Sequence, residues 1–141
     1  MRSLSALGVI FAVLFASASA LHVQHEQTTP TYSLFDYING RVQTVSHCFH
    51  VIPEDDSDTF TWQPNNLHIE GGQCGTLDCS FTMQDHAFTM GTCNPPETGP
   101  CVDYMKRMRE SSYIALESNL IKLKNKEGEN EPPNIVFMDK K

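Results

Sequence analysis

Apolar and polar positions alternate along most of this chain, and the period changes twice. A period of two predicts strands at residues 41–51, 59–62, 67–70, 80–83 and 87–90. Phe60 and Trp62 fall on one face of their strand, and Leu67 and Ile69 on one face of the next. The breaks between these runs carry turn chemistry: Asn39-Gly40, Gln63-Pro64-Asn65-Asn66, Gly71-Gly72-Gln73-Cys74-Gly75 and Gln84-Asp85-His86. Residues 101–110 contain no helix breaker. Thr98 is placed to cap a helix there, and Pro100 is tolerated in its first turn. Val102, Met105 and Met108, with Tyr104 beside them, supply its packing stripe, while Lys106, Arg107 and Arg109 suit its C-terminal end. Alternation then returns, predicting a hairpin over 113–117 and 120–124 and a last strand over 135–138. Residues 32–38 are apolar enough to pack as a short helix. Strands, one helix, then strands define an α+β fold: a curved, mostly antiparallel sheet, a partial barrel, packed on one helix.

The N-terminal pattern differs in kind. Arg2 is the only charge in residues 1–20, an apolar run covers 4–16, and Ala18-Ser19-Ala20 follows. That is the layout of a cleavable signal peptide, with an apolar run too short for the roughly 20 residues of a membrane span. Residues 21–31 are polar and read as a flexible lead-in, and 32–141 as a single domain. Cleavage leaves 141 − 20 = 121 residues and a net charge of −7 − 1 = −8. An acidic chain repels phosphate backbones and anionic membrane surfaces, which argues against nucleic acid and against docking on such a surface, while the short apolar run and the lack of a second long one argue against a stable membrane anchor. The expected location is secreted, extracellular.

Export changes the reading of the five cysteines, all of which follow residue 20. In an oxidising compartment disulfides are the default, and an odd count leaves one thiol over. Spacing leaves the pairing open. The proximity of turns in neighbouring hairpins favours Cys74 with Cys93 and Cys79 with Cys101, leaving Cys48 unpaired. Cys74 and Cys79 are too far apart for the usual Cys-x-x-Cys redox motif, and their flanks read as loop and strand.

With these elements in place, a resemblance becomes visible. Residues 59–62, a turn, then Leu67-His68-Ile69-Glu70-Gly71-Gly72-Gln73-Cys74-Gly75 and Phe81 resemble the core of the META/HslJ-like family. Gly91-Thr92-Cys93, the helix near 99–111 and the hairpin from Tyr113 to Leu123 follow in the family's order, so the resemblance covers about residues 59–138. Here Gln73 separates the glycine from Cys74, Gly75 replaces the family's asparagine, and Cys79 stands where a glycine is usual. The resemblance implies a curved sheet or partial barrel wrapped on one helix. It also implies a setting of envelope stress response in bacteria, or secretion and virulence in some protozoa, and it implies no catalytic mechanism.

The candidate chemistry is sparse. His47 and His50 are three apart on a predicted strand and so point to opposite faces, which cannot share one ion. The acidic run Glu54-Asp55-Asp56-Ser57-Asp58 lacks the glycine and distal glutamate of a calcium loop. Ser80, Asp85 and His86 carry no nucleophile signature. No metal or cofactor is expected, and the chain reads as a non-enzyme. The leading expectation is a secreted binding protein that contacts another protein or a small apolar ligand. The alternative is an inhibitor or virulence effector that presents Asn94, Pro95, Pro96, Glu97, Thr98, Gly99 and Pro100 to a partner enzyme. Prolines on both sides of that short polar stretch lower the entropy lost on docking.

Overall fold

The computed structural model describes residues 32–49 and 57–141. The signal peptide read at 1–20 and the lead-in at 21–31 lie outside the described residues, as do His50 and residues 51–56. Ser33–Lys141 forms one compact unit. Its strands are β1 (Val42–Cys48), β2 (Thr59–Gln63), β3 (Asn66–Gly71), β4 (Gly75–Gln84) and β5 (Ala87–Asn94). Helix α1 (Pro100–Arg109) comes next, followed by β6 (Tyr113–Glu117), β7 (Leu120–Lys124) and β8 (Ile135–Asp139). A short 3-10 turn, Leu34–Tyr37, precedes β1.

Every neighbouring strand pair is antiparallel and follows chain order, and β8 returns to pair with β1. The partial barrel expected from the sequence is therefore a closed ring of eight strands. Closure removes the open edges that an antiparallel sheet otherwise exposes. It is thinnest between β5 and β6, which share one ladder pair, Ala87 with Tyr113. Helix α1 lies between these strands in sequence and packs against β5 and β8.

The ring interior is filled by side chains. An eight-stranded ring is just wide enough to be packed this way or to hold one small ligand. Trp62 takes the centre, fully buried, with its ring edge-on to Phe81 at 5.4 Å and to Phe137 at 5.6 Å. Phe60 lies 5.0 Å from Phe137, and Tyr104 of α1 meets Phe60 edge-on at 6.2 Å. Leu67, Ile69, Ile114, Ile121, Leu123 and Ile135 are fully buried too, as are Ile38 and, on α1, Met105 and Met108. The Trp62 indole N–H needs an acceptor in this dry interior. Gln43, itself fully buried, supplies Oε1 at 3.0 Å and donates from Nε2 to Asp139 Oδ1 at 2.9 Å. Arg41 closes the chain of bonds on Asp139 at 3.1–3.2 Å, which ties β8 to the entrance of β1.

Two expectations need correction. The helix cap is Gly99 rather than Thr98, whose part is played by its backbone carbonyl, an acceptor for the Cys101 N–H at 3.3 Å. Gly99 adopts φ 59° and ψ −139°, a conformation that side chains disfavour. The buried helix face is Cys101, Tyr104, Met105 and Met108, whereas Val102 is 45 % exposed.

Truncating Phe137 removes a ring that touches both Phe60 and Trp62. Phe137→Ala is expected to destabilise the fold by roughly 3–5 kcal/mol. A denaturant midpoint unchanged from the parent would show that the interior is not packed as described.

Candidate functional site

The cysteines sort by geometry. The β4–β5 ladder sets Cys79 directly opposite Cys93, and the two are disulfide-bonded with Cα atoms 3.9 Å apart. Cys74, in the β3–β4 turn, bonds Cys101 in the first turn of α1, with Cα atoms 5.3 Å apart. The pairing favoured from the sequence, Cys74 with Cys93 and Cys79 with Cys101, is thus exchanged. Cys93 belongs to a ladder whose register brings it to Cys79, and the helix start reaches the turn instead. Asp58 holds that turn from behind: its Oδ1 accepts from the backbone N–H of Gln73 (3.1 Å) and Cys74 (2.9 Å). A Cβ at Gly71 would overlap the Cα and Oδ1 of Asp58, so only glycine allows this approach. Asp58, the last residue of the acidic run, is therefore a buried clamp on this turn.

Cys48 is the remaining thiol and is buried. Burial pushes its pKa up to about 11; Arg107 opposes the rise and Asp103 adds to it. Such a thiol stays protonated and a poor nucleophile at neutral pH. A bulge at Ser46 places it. Val45 pairs with Phe137 and His47 with Val136, so β1 gains one residue there. Without it, His47 would face inward and Cys48 outward.

Residues 94–100 lie between these two disulfides. Cys93 anchors one end and Cys101 the other. Asn94, Pro95, Pro96, Thr98, Gly99 and Pro100 are exposed, while Glu97 is half-buried. Arg109, at the far end of α1, grips the Glu97 carboxylate with both terminal nitrogens, one of them at 3.1 Å. Its Nε donates to the Gly91 carbonyl at 3.1 Å. The ion pair lowers the Glu97 pKa and raises that of Arg109, each through the bond to the other. Sequence alone placed Arg109 in water at the helix end. Its role depends on β5 passing beside α1, a contact that no local pattern records. The result is an uncharged, proline-rich surface on a loop fixed at both ends and in the middle.

The other candidate sets do not assemble. Ser80 Oγ donates weakly to the Thr92 carbonyl at 3.5 Å, near the disulfide end of β4. Asp85 and His86 form the turn at the opposite end, roughly 17 Å further along the strand. His47 is exposed and faces away from buried Cys48. Among the described residues no group of three His, Cys, Asp or Glu could hold a metal ion, and no helix is long and apolar enough to cross a membrane.

Sequence reasoning assigned no role to His68, which the structure places between two carboxylates. Its Nδ1 lies 2.8 Å from Asp78 and its Nε2 2.8 Å from Glu70. The bond to Glu70 first, and that to Asp78 second, raise its pKa above the ordinary 6.5. Asp78 is lowered below 3.8 by its bonds to Asn66 and His68. Comparison of the chain with protein-family models, curated proteins and solved structures returns no match.

Two predictions follow from this geometry. Peptide mapping without reduction should recover Cys74 linked to Cys101 and Cys79 linked to Cys93, across sequence separations of 27 and 14. Opening either bridge should cost about 3 kcal/mol; a Cys74–Cys93 peptide would refute the assignment. For His68, the raised folded pKa means stability fully present below pH 6.5 and lost as pH rises through the folded value. For Asp78, the lowered folded pKa means stability present above pH 3.8 and lost as pH falls through the folded value. The pair should therefore contribute most between these limits. An NMR titration should place the His68 pKa above 6.5, and Asp78→Asn should bring it down.

Proposed function

We propose that this chain is a secreted, non-enzymatic binding protein of META/HslJ-like type that docks a protein partner through residues 94–100. The observation that carries this reading is the clamping of that loop by Cys79–Cys93, Cys74–Cys101 and the Glu97–Arg109 pair. A loop held in one shape in the free protein loses little conformational entropy on docking, so more of its contact energy appears as affinity. An exposed loop anchored at both ends suits the cleft of an enzyme, and this favours the inhibitor or effector form of the reading. Two disulfides fit an extracellular setting. The order of strands, helix and hairpin supports the family resemblance. The small apolar ligand is disfavoured, because Trp62, Phe60 and Phe137 fill the ring where it would sit.

The test uses the disulfide-bonded protein with a photo-crosslinker at Thr98. A partner from the extracellular fluid should be captured there and identified by mass. Replacing residues 94–100 with a Gly/Ser segment of equal length should weaken binding of that partner by roughly 30-fold or more, with native circular dichroism retained. Undiminished binding by the folded replacement would refute the reading.

A further inference from the structure

At the other end of β5, roughly 25 Å from the clamped loop, lies a surface groove of about 410 Å³. That volume falls within the roughly 300–1,000 Å³ of small-molecule sites. One wall is aromatic: the His86 and Tyr113 rings stack with centroids 4.8 Å apart and planes 7° from parallel. The stack is fixed, because His86 Nδ1 donates to the Ile114 carbonyl at 2.7 Å.

The second feature is Lys124, which lines the same groove and is only 7 % exposed. Its ammonium donates to the Gly128 carbonyl at 3.0 Å, its one hydrogen-bond partner among the described residues, and its charge also reaches Glu117. Two of its three N–H groups remain. The stem is buried while the ammonium borders the groove, so its remaining N–H groups are positioned to meet an anionic group delivered from the groove. The third feature has the opposite sign. Glu127 and Glu129 are exposed and line the groove as well. Glu117 lines the groove too; it is bonded to Lys122 and, more weakly, feels the charge of Lys124. Burial first, and Glu127 second, push the Tyr113 phenol up, which locates the Glu127 charge close to the aromatic wall.

A simple anion would meet Lys124 but be repelled by the two glutamates. A simple amine would satisfy the glutamates and leave Lys124 as it is. A ligand with both charges and a flat ring satisfies every wall. We propose that this groove binds a free aromatic α-amino acid as its zwitterion, with the carboxylate on Lys124, the ammonium toward Glu127 and Glu129, and the ring against the His86–Tyr113 stack. The site is separate from the docking loop and does not depend on its function.

Calorimetric titration of the disulfide-bonded protein tests this with L-phenylalanine, L-tryptophan, phenethylamine and 3-phenylpropionate. At least one amino acid should bind, and the amine and the acid should each bind ~10-fold or more weakly than it. Lys124→Met should reduce amino-acid affinity by ~10-fold or more. The double variant Glu127→Gln/Glu129→Gln changes only exposed side chains and should also weaken it. No binding of either amino acid overturns the proposal, as does phenethylamine or 3-phenylpropionate binding as tightly as the amino acid. Unchanged affinity in folded Lys124→Met overturns it too. Should Lys124→Met fail to fold, the double variant decides, and unchanged affinity there overturns it.

Discussion

A buried hydrogen bond from the Trp62 indole to Gln43 sits at the seam of the closed ring and constrains what the interior can hold. The interior of an eight-stranded ring must be filled, and the largest aromatic side chain fills most volume for least conformational entropy. Tryptophan brings an N–H that would be costly if unpaired in that interior. Gln43 accepts it and passes the constraint outward to Asp139 and Arg41. The same contacts that satisfy the indole thus join β1, β2 and β8 at the seam where the sheet returns on itself.

A filled ring has a functional consequence. Trp62, Phe60 and Phe137 occupy the centre of the ring, which is why the proposed recognition surface lies on what the ring carries outside. Helix α1 brings Cys101 to the β3–β4 turn and Arg109 to the loop that precedes it. One element therefore covers the aromatic core through Tyr104 and holds residues 94–100 at both the disulfide and the ion pair. The loop's rigidity comes from the fold and not only from its prolines.

Much of the fold was legible in the chain. Alternation at Phe60/Trp62 and Leu67/Ile69 marked β2 and β3, and the return to a period of two after Ser111 marked β6 and β7 within the bounds observed. The first half of β4 was hidden, because Gly75 and the preceding glycines signal a turn while Leu77, Cys79 and Phe81 continue the inward face. The helix stripe was misread by one position. Cys101, Tyr104, Met105 and Met108 follow the i, i+3, i+4, i+7 pattern of a single face, and the Cys74 bridge selects it over the one containing Val102. For the candidate site, the position of the 94–100 loop was readable from its prolines and flanking cysteines. Its clamp was not, since Glu97 and Arg109 are separated by the helix that joins them.

Local order is set by side-chain periodicity, backbone preference and turn residues, all of which act over a few positions. These determined the strands, the helix and the candidate loop. Ring closure, the two cysteine partners and the inward face of Cys48 depend on groups distant in sequence. A single inserted residue at the Ser46 bulge reverses which side chain faces the core, and a ladder register chooses one cysteine partner over another. Such outcomes arise only when the whole chain competes for one packed interior, so tertiary structure alone decided them.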